Sequence, residues 1–151
     1  MEKPKFVYVT HINTTPEKLW DALTRPEFTQ QYWGGRRVQS DWTVGASIKH
    51  HKHDGAVELR GEVLEADPPR RLSYTFVDCH PPGGRPAEKD TRVTFEITFA
   101  FGVTKLTVIH DGFEPGSKKL LDITNGWPAI LNSLKTLLET GAPLPFTWPK
   151  C

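Results

Sequence analysis

The strongest constraint on this chain is its last long helix, predicted over residues 117–140, SKKLLDITNGWPAILNSLKTLLET. Leu120, Ile123, Trp127, Ile130, Leu131, Leu134, Leu137 and Leu138 recur at steps of three and four. That spacing draws one wide apolar stripe along a helix of period 3.6. A stripe so broad needs a large apolar surface against it, and a curved sheet supplies one. Gly126 and Pro128 flank Trp127 in mid-helix, where proline removes a backbone hydrogen bond and a bend is expected. The bend serves either to wrap the helix round its sheet or to hold a space open between them. Gly141 supplies a left-handed stop, with Pro143 beyond it.

The chain of 151 residues is long enough to bury a real core and is expected to form one domain, residues 1–151. Its 19 Lys+Arg balance 18 Asp+Glu. The basic residues fall in scattered pairs, Arg36-Arg37, Arg70-Arg71 and Lys118-Lys119, which argues against nucleic acid or an anionic membrane as partner. Cys79 and Cys151 are too few for a disulfide framework. The first residues, MEKPKFVYVTHI, lack the apolar core and cleavage site of a signal peptide, and no run reaches the length of a membrane span. A cytoplasmic location without membrane insertion is the expectation. The aromatic content, five Trp, eight Phe and three Tyr, suits the wall of an apolar pocket as well as a core.

Ahead of the helix the chain reads as strands and two short helices. Residues 6–13 form a first strand, rich in Val, Tyr and Thr. Thr15, Pro16 and Glu17 start a helix as N-cap, first helical residue and dipole partner. Leu19, Trp20, Ala22 and Leu23 are its buried face, with Trp20 assigned to the core. Pro26 disfavours helical geometry at Arg25, so a second helix begins there, carries Phe28 and Tyr32, and ends at Gly34-Gly35. Six antiparallel strands follow, at 36–42, 47–53, 57–66, about 72–77, 93–101 and about 106–110. The turns are at Val44-Gly45, Asp54-Gly55 and Asp67-Pro68-Pro69, then a Pro/Gly-rich loop at 80–90, then Gly102. The later strands alternate apolar and polar residues, as a sheet covered on one face does.

The stretches TTPEKLWDALTRPE (14–27), QYWGG (31–35), GEVLEADPPRRLSYTF (61–76) and NGWPAILNSLKTLLETG (125–141) resemble the SRPBCC superfamily, also called START or Bet v 1-like. Within it they look like the branch named for the activator of Hsp90 ATPase homologue 1. The resemblance implies an α+β helix-grip fold: a curved antiparallel sheet of about seven strands, two short helices and one long C-terminal helix. It also implies a hydrophobic ligand cavity, but no single activity, because one scaffold carries many functions. An Hsp90-type chaperone is a partner that the resemblance allows. The eukaryotic co-chaperone plan adds a second Hsp90-binding module not found in these residues, so strong stimulation by this chain alone is not expected.

The candidate cavity wall is Trp33, Trp42, Tyr74, Phe76, Phe95, Phe99 and Trp127, with Leu131 on the helix and His110 as the inward polar group. His110 shares a face with Leu106 and Val108. Leu131 and Gly61 are positions at which a larger side chain is expected to fill the space. The tract KHHKHD sets His51 and His53 on one strand face, with Asp54 near, and His50 on the other. It lacks further ligands at a recognised spacing and reads as a solvated strand end, so no metal and no cofactor are expected. Glu65 could share the inward face of Val57, Leu59 and Val63, but it sits near the strand end, where solvent is expected. Nothing marks Cys79 as an activated thiolate, and no catalytic triad order or phosphate-binding glycine loop occurs. The leading expectation is therefore a binder of a small apolar, aromatic or lipid-like ligand, with no catalytic residue assigned. The alternatives are a cyclase- or hydrolase-type enzyme using His110 and Tyr74 in the same cavity, and a protein-interaction module. A homodimer is compatible with each.

Overall fold

A computed structural model describes residues 4–52, 54–78 and 90–146. His53, Cys79, Cys151 and most of the loop at 80–90 lie outside the described residues. The elements run β1 (Phe6–Ile12), α1 (Pro16–Thr24), α2 (Pro26–Tyr32), β2 (Arg37–Gln39), β3 (Ser47–His51), β4 (Val57–Asp67), β5 (Arg71–Asp78), β6 (Thr91–Ala100), β7 (Val103–Asp111) and α3 (Lys118–Thr140). The strands form one antiparallel sheet in the order β1-β7-β6-β5-β4-β3-β2. This is the α+β helix-grip architecture, a curved sheet held against one long helix.

The helix ends follow from local chemistry. The Thr15 side chain accepts from Lys18 N at 3.2 Å, with Pro16 at the first turn. Arg25 is extended and closes α1 while opening α2. The two short helices are tied together by the Tyr32 hydroxyl, which donates to the Ala22 carbonyl at 2.9 Å inside the core. Ser117 caps α3 by accepting from Leu120 N at 3.1 Å, and Gly141 ends it in the left-handed region with φ 89°. The helix runs unbroken through Pro128.

Side-chain alternation sets the two faces of the sheet. Leu72, Tyr74 and Phe76 of β5, Val93, Phe95 and Ile97 of β6, and Leu106, Val108 and His110 of β7 are all buried on the inner face. Their registers interlock, with Leu72 opposite Phe95, Phe95 opposite Val108 and Val93 opposite His110. The outer face carries charge: Arg71 pairs with Glu65 and Glu96, and Arg92 pairs with Asp111 at 2.9 Å. Exposed pairs of this kind add little stability and mainly keep the face solvated.

Three expectations change, and Glu65 meets solvent as its strand end suggests. Phe99 keeps the inward parity of Phe95 and Ile97, opposite Thr104, yet is 63% exposed near the β6–β7 turn. It is therefore no part of the interior wall, and Phe101, on the same parity, is 96% exposed. Glu65 is exposed and paired with Arg71, since a register shift between Val63 and Glu65 breaks the alternation. Gly61, opposite Ile48, has no room for a larger side chain. A Cβ there would overlap the Thr75 carbonyl oxygen of β5, so the glycine permits close approach of two strands. His50, finally, is not at a solvated strand end: it shares the inward parity of Ile48 and is 1% exposed.

The long helix lies over the inner face of the sheet. The α3 backbone runs close to β1, α2 and α1, and among the described residues no other strand makes a comparable approach. The C-terminal half is fastened to β1, where Lys135 Nζ donates to the His11 carbonyl at 2.7 Å and Asn13 N donates to Glu139 at 2.8 Å. Over the middle of the sheet the distance between helix and strands is spanned by large side chains.

Candidate functional site

Six rings from five places in the chain meet in that span. Trp33 follows α2 directly, at a turn where Gly34 and Gly35 take φ of 60° and 82°, values that glycine adopts without strain. Trp127 comes down from α3, and the two indoles meet at 5.3 Å between centroids. Phe95 stands 5.9 Å and Phe76 6.2 Å from Trp127. Tyr74 lies 6.0 Å from Phe95, and Trp42 lies 6.2 Å from Tyr74. Most of these contacts are edge-to-face or tilted, the favourable geometries for aromatic pairs. The side chains expected to wall a space thus reach one another across it. Leu131 is buried one turn along α3 from Trp127. Trp42 is half-buried and oriented by its Nε1–H, which donates to the Thr24 carbonyl at 2.8 Å.

His110 is fully buried and both its ring nitrogens are used. Trp127 Nε1–H donates to Nδ1 at 3.0 Å, so Nδ1 is the acceptor. Nε2 then carries the proton and donates to Thr91 Oγ1 at 2.7 Å, a tautomer assigned from the hydrogen-bond pattern. Thr91 in turn donates to the Phe76 carbonyl at 3.2 Å. Lys119, itself only 4% exposed, donates to that same carbonyl at 2.9 Å. Burial, and next the Lys119 charge, hold the His110 imidazole down at about 3, so it is neutral at ordinary pH. Its partners are Thr91 and Trp127, not Tyr74. A neutral imidazole with both nitrogens engaged is a structural pin between α3 and β7, and no general base is left in it.

His50 differs. Its ring packs edge-on to Trp33 at 4.9 Å and to Phe76 at 5.8 Å, with Tyr74 at 6.5 Å. Its Nδ1 has no hydrogen-bond partner among the described residues. Burial lowers its pKa to about 3, opposed by Glu58 and aided by Arg36 and His51. Glu58 is bound by Arg36 through two hydrogen bonds, of 2.6 and 3.2 Å, at the rim. Burial also raises the Tyr74 phenol, which is neutral at ordinary pH.

His51 does not join His50. His51 Nδ1 sits 3.3 Å from the Gly55 carbonyl at the surface. Among the described residues no three His, Cys, Asp or Glu side chains are grouped as a metal ion requires. An open groove of about 780 Å³, lined in part by Lys5, Thr75, Arg92 and Asp111, lies on the outer face of the sheet. Alternation sets these residues away from the rings of the inner face; Thr91, which also lines the groove, is the residue that reaches His110.

Sequence reasoning missed His50 because the tract around it is polar. The signal was present: His50 is two residues from Ile48 on one strand, and period 2 carries both inward. Lys119 had no such signal, since burial of a lysine depends on the carbonyl that receives it.

The model for the family described as Activator of Hsp90 ATPase homolog 1-like protein matches residues 13–139. A solved structure of a Mesorhizobium loti protein is 30% identical, covers 89% of this chain and 96% of its own, and superposes with a TM-score of 0.74. A Cytophaga hutchinsonii protein is 28% identical over 91% of this chain and 96% of its own, with a TM-score of 0.71. An Aha1 dimer from Colwellia psychrerythraea is 20% identical over 91% and 98%, with a TM-score of 0.74, a likeness of fold alone. No match is found among curated proteins. With its seven-stranded sheet, its long C-terminal helix and a match over most of its length, the chain belongs to the activator of Hsp90 ATPase homologue 1-like branch of the SRPBCC superfamily.

Proposed function

We propose that this chain binds a small, largely apolar ligand, aromatic or lipid-like, between α3 and the inner face of the sheet. The observation that carries the reading is the cluster of rings between the middle strands and α3. The α3 backbone is held to β1 and the short helices, while the span over the middle strands is filled only by side chains. Of those side chains, Trp33, Tyr74, Phe76 and Phe95 are rings that can turn about two side-chain bonds without breaking backbone hydrogen bonds, while Trp127 is tied to His110. Trp42 and Leu131 extend the wall, and His110 holds Trp127 in place behind it. Apolar surface removed from water contributes about 25 cal/mol per Å², so a one- or two-ring compound reaches micromolar to millimolar affinity after association costs.

The test is a thermal-shift screen with aromatic compounds and fatty acids, followed by Trp fluorescence titration of the hits. Saturable quenching with a raised melting temperature is expected, and Leu131→Trp should abolish both by filling the span. No shift from any compound would sink the reading.

A second reading, a protein-contact module, draws on Phe99 and Phe101, exposed together at the β6–β7 turn. Two exposed rings at one hairpin tip suit burial against a protein surface, here a second copy of this chain. Sedimentation velocity should then show a dimer that Phe99→Ser with Phe101→Ser dissolves, and a monomer in wild type at high micromolar concentration would end it.

A further inference from the structure

We infer that His50 is the polar anchor of the ligand site, and that the ligand presents an uncharged hydroxyl, as a phenol does. The inference rests on the ligand-binding reading above. A buried polar atom without a partner is rare in native proteins and calls for a physical reason. His50 Nδ1 is such an atom, and it sits among the rings of the proposed site rather than in a remote part of the core.

The surroundings select the ligand's chemistry. Trp33 closes one side of the imidazole, and Tyr74 and Phe76 close others. The charged groups that act on it are Glu58, Arg36 and His51, and the first two are paired with each other through two hydrogen bonds. An anionic ligand would lie near Glu58 and lose its hydration among rings, a cost the engaged Arg36 does not offset. An ammonium can only donate, and a carbonyl can only accept. A hydroxyl does either, so it satisfies His50 in whichever neutral tautomer the ring holds.

Access runs past Trp33. It is the residue directly after α2, and the left-handed Gly34 and Gly35 behind it let the indole turn away without moving a strand. A flat ring entering there replaces the indole edge against His50, and its hydroxyl meets Nδ1.

The test compares 4-ethylphenol with 4-ethyltoluene, the same shape with methyl in place of hydroxyl. Wild type should bind the phenol roughly tenfold tighter, the order expected when a buried unpaired nitrogen gains its hydrogen bond. His50→Phe should bind both compounds alike. In ¹⁵N-labelled wild type the His50 Nδ1 resonance should move with 4-ethylphenol and stay with 4-ethyltoluene, a readout that needs no variant to fold. Equal binding of the two compounds by wild type, or an unmoved Nδ1 resonance, overturns the anchor and leaves the apolar site standing. Binding of neither compound overturns both.

Discussion

Trp127 Nε1 of α3 donates to His110 Nδ1 of β7 at 3.0 Å, a side-chain bond across the span between the long helix and the middle of the sheet. It fixes the histidine tautomer, and through Thr91 and the Phe76 carbonyl it continues to Lys119, back on α3. The helix is thus clipped to the sheet at two points on one side of the rings, and to β1 by Lys135 and Glu139 at its other end.

Removing both ends of that bond should cost less than the two single losses added together. Trp127→Phe leaves a buried nitrogen unpaired and is expected to destabilise by about 2–4 kcal/mol, packing loss included. His110→Leu with Trp127→Phe should cost less than the sum of the single changes, because they share one interaction. Urea denaturation of the cycle checks this, and strict additivity would contradict the bond's role.

The buried histidines make stability depend on pH. Both His50 and His110 stand at about 3 in the folded chain against an ordinary value of 6.5. The unfolded chain therefore binds more protons between these values, and stability rises with pH across the window. It should be complete above about pH 6.5 and fall below it by about 1.4 kcal/mol per pH unit for each histidine. Glu139, held low by its bond to Lys135, adds a loss only below the ordinary carboxylate range. Denaturant midpoints at pH 7.5, 6 and 5 measure the slope, and a flat profile down to pH 5 would be inconsistent with two neutral, buried imidazoles.

Gly61→Leu should act on the sheet. The added side chain meets the Thr75 carbonyl of the neighbouring strand, so β4 and β5 must part. A loss of about 3 kcal/mol or more, or failure to fold, is expected. A folded variant of near-wild-type stability would show that the strands do not approach there.

Phe101 offers the reverse case. It holds φ 57° at a hairpin turn where a β-carbon is strained, and its ring is almost wholly in water. Phe101→Gly is expected to leave stability unchanged or raise it by up to about 1 kcal/mol. A loss greater than about 1 kcal/mol in the isolated chain would mean that the ring makes an unseen contact.

What is legible in the sequence is local. Thr15-Pro16, Arg25-Pro26, Ser117 and Gly141 announce helix ends because caps act through the backbone within four residues. Alternation places Tyr74, Phe76, Phe95 and His110 inward for the same reason. What is not legible depends on neighbours distant in sequence. Phe99 has the right parity, yet beside the β6–β7 turn it meets water while Thr104 opposite it is buried. Glu65 follows a bulge that shifts the register by one residue. Gly61 answers to a carbonyl on the next strand. His50 is hidden by its company, since a run of charged and imidazole side chains reads as solvated until Ile48 beside it is counted. The roles of the two histidines also exchange. The one that alternation places inward is saturated, and the one in the polar tract holds the unpaired nitrogen.

An apolar site among the rings beneath α3 is the central claim, and the indole N–H resonances of the protein report on it directly. In a ¹H–¹⁵N titration with 4-ethyltoluene, which makes no hydrogen bond, the Trp33 and Trp127 indole signals should shift together and saturate. The Trp20 signal, from a half-buried ring on α1, should stay. Saturable movement of the first two alone is the predicted result. Unmoved Trp33 and Trp127 signals up to the solubility limit of the probe would contradict the central claim.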